Sequence, residues 1–170
     1  FEEHVLVDIS PTWMFPIVGN GVVPIAGVPL GFVESGWAFF VVGFTLWIIA
    51  LVVLFGRLVL GNALARAARP TMLILISPPA TFFIAYFELN NGKIDPLSYG
   101  LIYFSLFLLA VFLMNFKRIL LAPFSIASWS LTFPMASLTI ATLLYLQATG
   151  WLVAQVVATA LLVLTTVFVG

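Results

Sequence analysis

The 170-residue chain is 64% hydrophobic and 7% charged; a soluble domain carries roughly 25% charged residues and keeps them on its water-facing surface. Six basic and six acidic residues leave no net charge, and the chain has one histidine and no cysteine. That set excludes disulfides, thiol chemistry, a metal cluster and a bis-histidine haem built within the chain, so no cofactor is expected, and there is no basic tract for nucleic acid.

The remaining class is an all-α integral membrane protein. Residues 1–8 are short and acidic, and His4 among them reads as an edge residue outside the membrane. The chain starts at Phe1 and ends at Gly170 directly after an apolar run, which reads as a segment of a longer polypeptide.

Residues 11–27 are apolar, yet three prolines and three glycines interrupt them. In a membrane such breaks are tolerated where protein or a cavity satisfies the freed backbone groups. A broken or strongly kinked helix is expected here, with Pro16 at a kink, Gly19 and Asn20 as candidate pore lining, and a turn near Val28 and Pro29. Residues 35–60 are an uninterrupted apolar span, with Trp37 as an interfacial anchor and Arg57 able to snorkel.

Residues 61–69 form a basic connection, and Pro70 opens a third span to about residue 89 with Ser77-Pro78-Pro79 in its middle. Glu88, Asn90, Asn91, Lys93 and Asp95 mark a polar turn, in which the carboxylates read as solvated loop groups and not as an acid–base pair. A Leu/Phe/Tyr-rich span follows at 97–116, closed by Lys117 and Arg118.

The fifth span, 122–146, opens on Ser125-Ile126-Ala127-Ser128-Trp129-Ser130-Leu131-Thr132-Phe133-Pro134. A helix facing only lipid has little use for these hydroxyls, and Pro134 bends the helix and frees a carbonyl one turn earlier. Residues 147–150 turn the chain into a last apolar run, 151–170. The whole reads as one membrane domain of three hairpins, about 1–60, 61–116 and 117–170.

Charge sets the direction of the spans. Arg57, Arg66, Arg69, Lys117 and Arg118 fall on one side if all six segments cross, and only Lys93 falls on the other. The basic side is cytoplasmic, which puts both ends of the chain there too.

The odd segments contain prolines and the even ones do not. Pro16, Pro78 and Pro134 recur at intervals of 62 and 56 residues, one hairpin each, and Pro11, Pro70 and Pro123 recur beside them. Odd helices forming an inner ring around a cavity, with even helices outside, would explain the pattern. Simple structural kinks are the competing explanation.

No carboxylate or fixed cation lies mid-span, so selectivity rests on weak polar groups: hydroxyls, freed backbone groups and aromatic edges. Ser77, Ser130 and Thr132 join Gly19 and Asn20 as candidate lining, and Pro79 joins Pro16, Pro78 and Pro134 as a kink. Phe133 could project from the bend and close a narrow path by steric block and dewetting; ordinary packing between helices is the alternative for it.

Two stretches carry a family resemblance. They are Pro-Thr-Trp-Met-Phe-Pro-Ile-Val-Gly-Asn-Gly-Val-Val-Pro at 11–24 and Ser-Trp-Ser-Leu-Thr-Phe-Pro-Met-Ala at 128–136, supported by Arg69-Pro70 and Ser77-Pro78-Pro79-Ala80. In these the sequence resembles the tellurite-resistance/dicarboxylate transporter family, with its bacterial TehA-type proteins, fungal malate and sulfite transporters and plant guard-cell slow anion channel. The resemblance implies a pore of ten helices in five hairpins, with kinked inner and straight outer helices, assembled as a homotrimer in a cell membrane, the bacterial inner membrane for TehA-type members.

On that resemblance this chain holds helices five to ten, and the four preceding helices are needed to close the pore. The family's occluding phenylalanine carries onto Phe133. The implied activity is passive, weakly selective passage of small inorganic or organic anions, with no enzyme chemistry. A carrier exporting dicarboxylate, sulfite or tellurite-related anions is the alternative within the family, and a membrane enzyme subunit or structural membrane protein the alternative outside it.

Overall fold

A computed structural model of the protein describes residues 11–60, 72–114 and 132–169. They form six α-helices: α1 (Met14–Gly27), α2 (Val33–Leu60), α3 (Ser77–Leu89), α4 (Pro96–Met114), α5 (Thr132–Thr149) and α6 (Leu152–Val169). There is no strand among the described residues. By length and composition three stretches can cross a membrane, Val33–Arg57, Met72–Leu89 and Pro96–Met114, while Leu152–Thr166 is a shorter apolar helix.

The first segment differs from the broken helix expected of it. A 3-10 turn, Pro11–Trp13, leads into α1, which is continuous over its 14 residues. Pro16 stands in the first turn, where no hydrogen bond is lost because the N–H groups there have no intrahelical acceptor. Pro24 alone lies inside the helix, so only the carbonyl of Asn20 loses its α-helical donor.

The third segment repeats this construction. Residues 72–76 are 3-10, and the α-helix begins at Ser77 with Pro78 and Pro79 at its first positions. Pro16, Pro78 and Pro79 thus sit just past a junction between a 3-10 and an α-helical stretch. Pro134 is the third residue of α5 as described, and Ser125, Ser128 and Ser130 lie outside the described residues. So do the connections carrying Arg66, Arg69, Lys117 and Arg118.

The three visible turns are short. Val28 to Gly31 join α1 to α2. The α3–α4 turn uses Asn91 and Gly92 in the left-handed region, at φ of 53° and 73°. Asparagine and glycine are the residues that tolerate this conformation. Gly150, at φ of 64°, ends α5 by donating its N–H to the Leu146 carbonyl at 2.8 Å.

Packing places α3 at the centre. It touches α1, α2, α4 and α5, while α2 pairs with α1 and α6 with α5. Of the three long apolar stretches, Met72–Leu89 is 78% buried, against 22% for Val33–Arg57 and 28% for Pro96–Met114. A helix apolar on every side belongs inside a bundle. Arg57, expected to extend outward from α2, is instead buried at 9% exposure.

Close contact between α1, α2 and α3 comes from missing side chains. A Cβ on Gly43 of α2 would lie 2.6 Å from the Asn20 Cβ, and one on Gly36 would lie 2.9 Å from Val28 Cγ2. A Cβ on Gly21 of α1 would meet Thr81 Cγ2 at 3.1 Å and Phe82 Cε1 at 3.2 Å. Small residues at these points let backbones approach and maximise dispersion contacts, the main source of helix association in lipid.

Candidate functional site

The expected inner helices are α1, α3 and α5, and their candidate residues fall in different environments. Pro16 and Gly19 are exposed on α1, where a Cβ on Gly19 would meet nothing within 4 Å. Asn20, half-buried between them and α2, turns its Nδ2 back to donate to the Pro16 carbonyl at 3.0 Å. Its amide is thus engaged within its own helix.

On α3 every candidate is buried. Ser77, Pro78 and Pro79 all sit inside the bundle, with Ser77 at 0% exposure. On α5, Pro134 is buried, Thr132 is half-buried and Phe133 is 41% exposed. The ring of Phe133 thus stands out from the helix beside a proline that packs inward. Phe133 and Ile140 are exposed at a seven-residue interval, so they share one face of α5. Ser130 lies outside the described residues.

Two features of the site were not singled out in the sequence. One is Thr81, a turn beyond Ser77 and 1% exposed; the four-residue spacing of two hydroxyls was the available signal. The other is an aromatic cluster around Phe82. Phe40, Phe44 and Trp47 of α2 surround its ring at centroid distances of 5.7, 5.7 and 5.8 Å. The first two are edge-on, the arrangement that aromatic quadrupoles favour. On the other side of α3, Phe83 meets Tyr145 of α5, whose hydroxyl pairs with that of Tyr103 on α4 at 3.1 Å.

Asp95 is a structural residue at the mouth of the α3–α4 turn. Its Oδ1 accepts from the Ser98 N–H at 3.0 Å and from Ser98 Oγ at 3.1 Å, capping α4 just ahead of Pro96. Its Oδ2 accepts from the Tyr86 hydroxyl of α3 at 2.5 Å. The Tyr86 hydroxyl bond, then the Ser98 N–H, hold its carboxyl below the usual carboxylate range, against a smaller opposing effect of burial.

A depressed native pKa adds stability that is present above the unfolded value, about 3.9, and is lost as pH falls through the native one. Asp95→Asn should therefore flatten the acid side of the stability profile, and Asp95→Ala should lower stability by about 0.5–2 kcal/mol at neutral pH. Thermal unfolding of the detergent-solubilised protein between pH 3 and 7 measures both.

Among the described residues no group of three His, Asp or Glu could hold a metal ion. Glu34 and Glu88 lie in the first turn of α2 and the last turn of α3, away from mid-span. The described helices offer apolar faces, hydroxyls and aromatic edges.

Comparison with known proteins places this architecture. The chain is 30% identical over 139 residues to the guard cell S-type anion channel SLAC1 of Arabidopsis thaliana, covering 82% of this chain and 25% of that protein. It is 28% identical over 163 residues to the S-type anion channel SLAH3 of the same plant, covering 94% of this chain and 25% of that one. With SLAH2 it shares 30% identity over 137 residues, 80% of this chain and 26% of that protein. The chain thus spans about a quarter of the length of these relatives. The profile of one family, SLAC1, described as voltage-dependent anion channel, matches residues 1–170, and this multi-pass membrane chain belongs to that family, one of channels and not of enzymes.

Proposed function

We propose that α1, α3 and α5 form part of the wall of a membrane pore for small anions, and that Phe133 closes it. The observation that carries this reading is the 41% exposure of the Phe133 ring beside the inward-packed Pro134, on the same class of helix as the paired junctions at Pro16 and Pro78. The packing order supports it: α3 contacts both α1 and α5. Membership in an anion channel family supplies the ion class.

In the complete assembly this wall corresponds to helices five to ten of a ten-helix, five-hairpin pore, closed by four further helices and repeated as a homotrimer. The excess of Arg and Lys in the connections after α2 and α4 puts those ends, and both ends of the chain, in the cytoplasm; the membrane is the bacterial inner membrane. Passage on this reading is passive and weakly selective, and the described Glu34 and Glu88 lie at helix ends.

The test is Phe133→Ala in the protein reconstituted into planar bilayers. A barrier lowered by about 1.4 kcal/mol corresponds to about tenfold in rate, and an anion conductance raised by about that factor or more is expected. Unchanged current from a folded variant would remove Phe133 from the gate. Liposome flux with and without a proton gradient separates a channel from a coupled carrier of dicarboxylate, sulfite or tellurite-related anions, since only the carrier responds to the gradient at fixed anion gradient and clamped voltage.

A further inference from the structure

Ser77 and Thr81 differ from the other buried hydroxyls of the bundle. Ser105 donates to the Leu101 carbonyl at 2.8 Å, Thr139 to Met135 at 2.7 Å, and Thr142 to Leu138 at 2.6 Å. In each case the hydroxyl is satisfied by the carbonyl one turn back in its own helix. Ser77 Oγ and Thr81 Oγ1 have no hydrogen-bond partner among the described residues, although these residues are 0% and 1% exposed. Hydrocarbon supplies no partner either, so two such groups in mid-span need one from elsewhere.

Their surroundings narrow the choice. The two residues are one turn apart on α3, near the middle of the Met72–Leu89 stretch, and side chains at that spacing are about 5–6 Å apart. Thr81 lies against α1, where its Cγ2 is 3.1 Å from the position a Cβ on Gly21 would take. The two hydroxyls without partners therefore share one buried face of α3, with the Thr81 methyl, not its hydroxyl, turned to Gly21 of α1.

We propose that a bound water is hydrogen-bonded to Ser77 Oγ and Thr81 Oγ1 inside the helix packing around α3. Buried waters typically make about three hydrogen bonds, and one oxygen between groups 5–6 Å apart reaches both at normal distance. Water also matches the pair, since each hydroxyl can donate or accept and water does both. An anion only accepts, and burial inside this packing would cost it its hydration shell. The site thus belongs to the wall of the proposed pore and is not a stop on the anion's path.

X-ray hydroxyl-radical footprinting read by mass spectrometry tests this on the solubilised protein, because a bound water labels neighbouring side chains that bulk radicals do not reach. Pro78, buried between the two hydroxyl residues, should be labelled several-fold faster than Leu138, which is 0% exposed. The difference should vanish in the Ser77→Ala/Thr81→Val double variant, where valine keeps the branched shape against Gly21. Labelling of Pro78 in the wild-type protein no faster than that of Leu138 overturns the proposal, whether or not the variant folds. Labelling that falls as chloride or nitrate replaces a bulky impermeant anion overturns it too, since an ion would then hold the site.

Discussion

Phe82→Ala should lower the stability of the bundle by about 3–5 kcal/mol, the largest single loss expected in the described residues. The ring is 0% exposed and lies where three helices meet. Its Cε1 would be 3.2 Å from a Cβ on either Gly21 or Gly43, so it fills the notch left by two absent side chains. In lipid the transfer of apolar surface adds little, because the alternative environment is just as apolar. The loss comes from the cavity, about 100 Å³ at about 24 cal/mol per Å³, and from the aromatic pairs with Phe40, Phe44 and Trp47. Denaturant titration followed by helicity measures it, and Phe107→Ala, 57% exposed on α4, should leave the midpoint almost unchanged.

Gly43→Ala is the second large effect, although it adds only one methyl group. The new Cβ would sit 2.6 Å from the Asn20 Cβ, an atom fixed to its backbone that no rotamer change can move. The α1–α2 pair must separate, which also loosens the notch around Phe82. A loss of about 1–3 kcal/mol is expected from such overpacking. Asn20→Gly removes the clashing atom, so the double variant should recover most of the loss, a coupling that a double-mutant cycle reads directly. Gly56→Ala, with nothing within 4 Å of the added atom, should be neutral or slightly stabilising.

What could be read in the sequence follows from how local each cause is. α2 and α4 were legible because an unbroken apolar run of that length has one outcome in a membrane. The cap at Asp95 could have been read from Asp95-Pro96 ahead of an apolar span, yet its bond to Tyr86 depends on how the turn folds back. The continuity of α1 was not legible: Pro16 and Pro24 read as breaks, whereas Pro16 stands in the first turn at no hydrogen-bond cost and Pro24 costs the continuous helix one bond.

Phe82 was hidden for another reason. It is one of 17 phenylalanines, and what distinguishes it is two glycines, one 39 and one 61 residues away in sequence, that make room for it. Phe133 was conspicuous through the proline after it, and the structure adds that its ring stands exposed. Ser77 attracted attention as a polar residue beside two prolines, but it sits inside the helix packing and not on an open face.

The packing order has a consequence for biosynthesis. Each extensive contact in the bundle joins helices that are neighbours in the chain or next but one: α1 with α2, α3 with both, α4 with α3, α5 with α3, and α6 with α5. A helix leaving the ribosome therefore meets its partner already in the bilayer and need not wait for a distant segment. The glycine notch of α1 and α2 is complete before Phe82 is translated, so the tightest joint of the bundle has its socket ready when its ring arrives.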